Sequence, residues 1–126
     1  MAHHVSKAKF AELVERALAE LPPQFADALE EMSLEIRDRP TREMLKSLGL
    51  GRNDLLLGLY QGVNILNRSV EHSGRLPDVI YIFQEDCELA CNSEDDLVRE
   101  VRKTVLHELG HHFGLDEDDL DRLGYG

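Results

Sequence analysis

The spacing of apolar residues predicts several helices along this chain. Residues 5–21 carry apolar side chains every three or four positions, until a proline pair ends the pattern. A shorter helix is predicted for residues 25–32, and residues 41–47 can form one or two further turns. The longest pattern covers residues 95–113 behind an N-capping Ser93, and its apolar arc consists of Leu97, Val98, Val101, Val105, Leu109 and Phe113.

Three other segments have the pattern or composition of β-strands. Residues 32–37 alternate apolar and polar side chains, so one face of this strand is expected to be buried. Residues 55–60 and 78–83 are the other predicted strands, and the latter are aromatic and β-branched. The polar residues 61–75 between them are predicted to form an irregular loop. This order of elements predicts an α+β fold, in which helices pack on one face of a small mixed sheet.

The last long helix ends in a complete H-E-x-x-H element, His107-Glu108-Leu109-Gly110-His111. Residues four apart share a helix face, so both imidazoles can bind one metal ion. Glu108 is turned about 100° away from His107, where it can lie beside the metal as a general base. In zinc hydrolases with this pattern the metal is a Lewis acid that acidifies its bound water, and the Glu takes the proton. The motif therefore predicts a Zn²⁺ cofactor, with His107 and His111 as ligands and Glu108 as the catalytic residue.

The residues after the motif offer a third metal ligand. Gly114 is expected to end the helix and turn the chain sharply, because glycine tolerates a positive φ. Such a turn can bring Glu117 back toward the metal as an oxygen ligand. Asp116 can take this place if the turn differs by one residue. Alternatively, these acids only form the first turn of a last short helix, where they favour the helix dipole.

The C-terminal stretch as a whole resembles a known family. Residues 107–120 read HELGHHFGLDEDDL and are followed by Leu-Gly-Tyr at 123–125. This pattern is similar to that of small bacterial zincin-like metallopeptidases, or minimal metalloproteases, which read H-E-x-x-H-H-F-G-x-x-D before a Leu-Gly-aromatic ending. Residues 56–62 and 76–83 also resemble the family, so the similarity covers most of the chain. Glu117 stands where the family usually has Asp, which keeps the charge.

The resemblance implies a compact, minimal zincin-like domain with an H-E-x-x-H active-site helix and peptidase chemistry. One such domain is expected to span residues 1–126, with residues 1–5 disordered. By the same resemblance, the strand at 78–83 is a candidate edge strand on which an extended peptide substrate could pair. A purely structural strand is the alternative.

Composition and charge limit the partners. The 126 residues have a formal net charge of −11, which argues against a nucleic-acid partner, because binding phosphates needs clustered Lys and Arg. No apolar run has the length of a membrane span and no secretory leader is recognisable, so no membrane association and a cytoplasmic location are expected. Cys87 and Cys91 are expected to be reduced thiols, with a short-loop disulfide as the alternative.

Several further residues are candidates for supporting roles. His112 falls in the apolar arc of the helix and is expected to be buried and hydrogen-bonded, with orientation of a ligand as its alternative role. Thr104 lies one turn before His107 and is a weaker candidate of the same kind. A tetrahedral oxyanion usually needs a second donor beside the metal, and the available phenols are Tyr60, Tyr81 and Tyr125.

Three functions are compatible with such a site. The first is a zinc metallopeptidase that acts on peptide or protein substrates. The second is a zinc-binding module of zincin fold without peptidase activity, which the small size of the chain favours. Glu108 argues against this module, because structural zinc prefers four ligands and cysteines. The third is a hydrolase of a non-peptide amide or ester. The oligomeric state is left open by the sequence.

Overall fold

Nine elements build the part of the chain that this computed structural model describes, residues 2–62 and 78–123. The predicted loop at 61–75 therefore lies almost entirely outside the described residues. The strands are β1 (Ser33–Arg37), β2 (Gly58–Gln61) and β3 (Val79–Phe83). The helices are α1 (Lys7–Leu18), α2 (Pro23–Glu30), α3 (Arg42–Ser47), α4 (Gln84–Ala90), α5 (Glu94–His112) and α6 (Glu117–Leu123).

The sheet is mixed, as predicted, with the strand order β1-β3-β2. β3 pairs in parallel with β1 and antiparallel with β2. The expectation that residues 78–83 form an edge strand is therefore wrong, because β3 is paired on both sides. The continuous apolar run of β3 already agrees with a central position, since such strands bury both faces. The edge next to helix α5 is occupied instead by β2.

Helices cover both faces of the sheet, and this corrects the expectation that they pack on one face. Ile80 and Ile82 of β3 point into the main core, which α1, α2 and α5 share. Tyr81 and Phe83 point to the other face, where they pack with Met44 of α3. Successive side chains of a strand point to opposite faces, so a fully apolar strand needs a cover on each. The result is a compact α+β domain.

Helix α5 is the element that the sequence predicted best. Ser93 caps it, since the Ser93 hydroxyl accepts a hydrogen bond from the Asp96 N–H at 3.1 Å. The predicted apolar arc is buried from Leu97 to Leu109, and α5 packs along α1. Phe113 is half-buried against the same core and meets Phe25 of α2 edge-on. Burial of this face holds the end of α5, with its histidines, in a fixed place.

Helix α4 was not predicted, because the side chains that it buries are largely polar. Gln84, Asp86 and Glu88 are buried together with Cys87, so the helix has no apolar stripe in its sequence. Asp86 accepts hydrogen bonds from the Arg39 Nε at 3.1 Å and from a backbone N–H at 2.9 Å. These contacts satisfy a fully buried carboxylate, as burial of a charge requires.

Residues near the N-terminus contact α4, which differs from the expectation that residues 1–5 are disordered. The buried Glu88 carboxylate accepts a hydrogen bond from the Val5 N–H at 2.9 Å and lies 3.2 Å from the His4 Nδ1. The His3 N–H donates to the Glu88 carbonyl at 3.0 Å. A buried carboxylate needs such donors, and these residues supply them.

The two cysteines are free thiols in the core, as predicted. Burial raises the pKa of Cys87 far above its usual value, and it raises the pKa of Cys91 to about 11. Both side chains are therefore protonated at neutral pH and contribute to packing. Among the described helices, none is long and apolar enough to cross a membrane.

Candidate metal and catalytic site

Two imidazoles lie side by side at the C-terminal end of α5. The rings of His107 and His111 are 4.9 Å apart, centre to centre, because they are one helical turn apart on one face. Both side chains are partly exposed, at 23% and 34%. The apolar arc of α5 is thus turned into the core while the two histidines open toward solvent.

The turn at Gly114 brings the chain back over these histidines. Gly114 has a φ of 81°, which glycine adopts without steric cost. The Leu115 N–H donates to the Gly110 carbonyl at 2.9 Å, and the Gly114 N–H donates to the His111 carbonyl at 3.0 Å. This is a Schellman motif, which ends the helix as the sequence predicted.

Glu117 reaches both histidines after this turn. Its Oε1 lies 3.3 Å from the His107 Nε2 and 3.4 Å from the His111 Nε2. Asp116, the alternative, is engaged elsewhere: its Oδ1 accepts a hydrogen bond from the Asp119 N–H at 2.8 Å and caps α6. The structure thus brings His107, His111 and Glu117 together and leaves Asp116 out.

Gly110, inside the motif, allows α6 to pack closely on α5. A Cβ at this position would lie 2.2 Å from the Leu120 Cδ2, well inside van der Waals contact. Leu120 is fully buried and anchors α6. Since Glu117 begins α6, this close contact also holds Glu117 near the histidines.

Glu108 is held by the edge of the sheet. Its Oε1 accepts a hydrogen bond from the backbone N–H of Tyr60 in β2, at 2.9 Å. Its Oε2 lies 3.9 Å from the His107 Nε2. Burial raises the pKa of Glu108 to about 7, and the nearby Glu117 adds to this, although the Tyr60 N–H and His107 act in the opposite direction. For His111, burial and the neighbouring His107 lower the pKa.

The raised pKa of Glu108 predicts how the stability of the metal-free protein depends on pH. A carboxyl with a pKa of about 7 when folded and 4.5 ordinarily binds its proton more tightly in the folded state. Stability is therefore lost as pH rises from 4.5 to about 7. Metal-free Glu108→Gln should be more stable than metal-free wild type at pH 8, by up to about 3 kcal/mol.

Urea unfolding of both metal-free proteins at pH 4.5 and pH 8 measures this effect. The histidines are common to both proteins, so the difference between them isolates Glu108. An equal difference in stability at the two pH values would contradict the prediction.

His112 belongs to a buried polar cluster behind the site. Its Nδ1 lies 3.3 Å from the Asp78 Oδ2 and 3.4 Å from the Tyr60 hydroxyl. His112 and Asp78 are both buried, at 6% and 5% exposure. The prediction of a buried, hydrogen-bonded His112 is confirmed. Its contact with Tyr60 ties α5 to β2, the strand whose N–H holds Glu108.

The other candidates from the sequence lie in different places. Tyr81 points to the α3 face of the sheet, away from the histidines. Tyr125 lies outside the described residues. Tyr60 contributes its backbone N–H, which holds Glu108. This role could not be predicted, since a backbone N–H has no signature in the sequence. Asp78 was missed as well, because only the folded chain brings it to His112.

A pocket of about 230 Å³ opens beside the site. Thr104 and Gly58 are two of its lining residues. The Thr104 methyl group lies 2.5 Å from the position that a Cβ at Gly58 would take. Only glycine fits at that position of β2. The pocket borders His107 and Glu108, and its remaining lining consists of Leu56, Leu57, Gly58, Glu100, Lys103 and Thr104.

The zincin-like metallopeptidase family matches this chain over residues 29–126, which include the whole site. This chain belongs to that family. The match agrees with the resemblance seen in the sequence and with the small mixed sheet under the H-E-x-x-H helix. Because the chain belongs to this family, a hydrolase fold with a potential zinc site is the basis for proposing its function.

Comparison with known proteins adds a structural relative of this zincin-like chain. It is similar to a solved structure described as a conserved hypothetical protein from Thermo thermophilus, with a TM-score of 0.54 and 25% sequence identity. The match covers 94% of this chain and 97% of the other. A search of curated proteins gave no match. The similarity extends the fold to a bacterial protein that is described as hypothetical.

Proposed function

We propose that this zincin-like protein is a zinc-dependent metallopeptidase. His107, His111 and Glu117 bind the metal, and Glu108 is the general base. The substrate is a peptide or protein. A cytoplasmic location is part of the proposal, because two free buried thiols suit a reducing compartment.

The distance of the Glu117 carboxylate from each of the two histidines is the observation that carries the proposal. Two ligands that lie about 2.1 Å from a tetrahedral zinc ion are about 3.4 Å apart. The Glu117 Oε1 lies 3.3 Å and 3.4 Å from the two histidine Nε2 atoms. Ligand atoms of His107, Glu108 and His111 also lie within 4.8 Å of one another. Two imidazoles and one carboxylate are a donor set that suits zinc, so these residues fit the ion.

The arrangement of Glu108 supports a catalytic role over a purely structural one. One carboxylate oxygen is occupied by the Tyr60 N–H, so the other oxygen, Oε2, is turned toward His107 and the metal site. When bound, zinc supplies a Lewis acid that polarises the scissile carbonyl and acidifies water. Glu108 takes the proton from the attacking water at Oε2 and delivers it to the leaving amine.

The surroundings of the site favour an extended peptide as substrate. The Leu57 carbonyl accepts from the Phe83 N–H, so in this antiparallel pair the backbone groups of Gly58 and Tyr60 point away from β3. This outer edge of β2 runs beside Glu108 and can pair with an extended chain. The pocket next to His107 can receive one of its side chains, of aliphatic character, against Leu56 and Leu57.

Zinc affinity of matched variants tests the proposed ligands. Glu117→Ala should weaken zinc binding by more than about 100-fold, because loss of a direct ligand should exceed the 10–100-fold effect of outer-shell partners. Asp116→Asn is the control, since asparagine keeps the cap of α6 and the residue lies outside the site. Competition against a chromophoric chelator measures both. Unchanged affinity in Glu117→Ala, or equal loss in Asp116→Asn, would remove Glu117 from the site.

A further inference from the structure

Three basic side chains surround a pocket remote from the histidines. Arg42 and Lys46 of α3 and Arg52 of the following loop line a cavity of about 230 Å³. Its remaining lining comes from Leu45, Leu50 and Gly51, so no carboxylate faces it among the described residues. The three basic side chains are exposed, whereas Leu45 is buried and forms an apolar wall.

This concentration of positive charge is unusual in an acidic chain with a net charge of −11. Most Lys and Arg side chains of the described residues pair with carboxylates: Lys7, Lys9, Arg16, Arg37, Arg39, Arg99, Arg102 and Arg122. Within the described residues, Arg42, Lys46, Arg52 and Lys103 have no such ion pair. Three of these four side chains line one pocket, whose lining contains no acidic side chain.

The backbone around the pocket is fixed by turns. The Leu50 N–H donates to the Leu45 carbonyl at 2.8 Å, and Gly49, with a φ of 74°, donates to the Lys46 carbonyl at 3.0 Å. Asp54, two positions after Arg52, accepts a hydrogen bond from the Gly51 N–H at 2.7 Å. Helix α3 is in turn anchored on the sheet by Met44. The cationic side chains therefore extend from a preformed concave surface.

We propose that this pocket binds a phosphate group. Two guanidinium groups can donate paired hydrogen bonds to phosphate oxygens, and the lysine adds a third positive charge. The apolar wall of Leu45 and Leu50 strengthens these interactions by lowering the local dielectric. A phosphate dianion has the negative charge and enough acceptor oxygens to pair with all three of these side chains.

The phosphate pocket is separate from the proposed zinc site. Helix α3 packs on the Tyr81 and Phe83 face of the sheet, whereas α5 packs on the opposite face with Ile80 and Ile82. A ligand held by Arg42 and Arg52 therefore does not lie at the proposed scissile bond. The phosphate pocket does not depend on whether the protein cleaves peptides.

Titration with inorganic phosphate tests the pocket directly. Amide chemical shifts of ¹⁵N-labelled full-length protein are followed at constant ionic strength, with sodium chloride replaced by sodium phosphate. We expect saturable shifts in residues 42–52. In Arg42→Gln/Arg52→Gln, binding should weaken at least about tenfold, because hydrogen bonds to charged groups are lost. Lys103→Gln is the control, since it removes an unpaired cation elsewhere.

Two results would overturn the phosphate pocket. One is the absence of saturable shifts in residues 42–52, including the case where shifts occur only near residues 107–117, which would indicate phosphate at the histidine site. The other is equal weakening by Lys103→Gln, which would mean that only overall charge matters. Either result would leave the zinc and peptidase proposal unaffected.

Discussion

Replacing Glu108 by Gln is expected to lower peptide cleavage by about 10³-fold while zinc stays bound, because general base catalysis contributes roughly 10²–10⁴-fold. Glutamine keeps the shape of the side chain, and its carbonyl oxygen can still accept the hydrogen bond of the Tyr60 N–H, now 2.9 Å from the Glu108 Oε1. It cannot take a proton from water. The variant therefore separates the proton transfer from metal binding and from the position of the side chain.

Cleavage of a mixed peptide library by the zinc-loaded proteins, with products identified by mass spectrometry, measures this effect. Asp95→Asn is the control, since Asp95 lies at the other end of α5 and pairs with Arg16 at the surface. It should cleave like the wild type. Equal cleavage by Glu108→Gln and wild type would exclude Glu108 as the base. Zinc binding without cleavage by any of the proteins would favour the zinc-binding module.

Replacing His112 by Ala is expected to lower the free energy of unfolding by about 3–5 kcal/mol, because it removes a close partner of the buried Asp78 carboxylate. The Asp78 carboxylate is 5% exposed, and the variant takes away the imidazole that lies 3.3 Å from it. Solvent cannot fully replace that contact at this depth. The variant also removes the contact with the Tyr60 hydroxyl that ties α5 to β2.

Guanidinium unfolding at pH 7 measures this loss, with His4→Ala as the control. His4 makes a similar contact with Glu88 at 3.2 Å, but its side chain is 70% exposed. The Glu88 carboxylate keeps its hydrogen bonds from the Val5 N–H and the Gln84 side chain in this variant, so the removal of His4 should cost no more than about 1 kcal/mol. A loss as small for His112→Ala as for His4→Ala would show that burial of the Asp78–His112 pair does not matter for stability.

Several residues around the site stabilise the fold, whereas Glu108 does not. The buried His112 and Asp78 hold the sheet edge against α5, and Leu120 holds α6 against Gly110. Glu108, in contrast, is kept in surroundings that raise its pKa, so that its ionised form is disfavoured without a metal. Such unfavourable placement of a titratable group is common where a residue is used in catalysis.

Local sequence determined the elements whose signals lie within a few residues of each other. Helix α5 and its cap follow from the apolar spacing and from Ser93, and the turn after it follows from Gly114. The same short range places His107 and His111 on one face of a helix. These features could be predicted because periodicity and backbone preferences act over one or two turns.

Only the tertiary structure decided how distant segments meet. It made β3 the central strand, formed α4 around buried polar side chains, and chose Glu117 over Asp116 to face the histidines. It also brought the Tyr60 N–H to Glu108, across 48 positions of the chain. Strand pairing, burial of charge and backbone hydrogen bonds depend on long-range packing, and packing of this kind leaves no periodic pattern in the sequence.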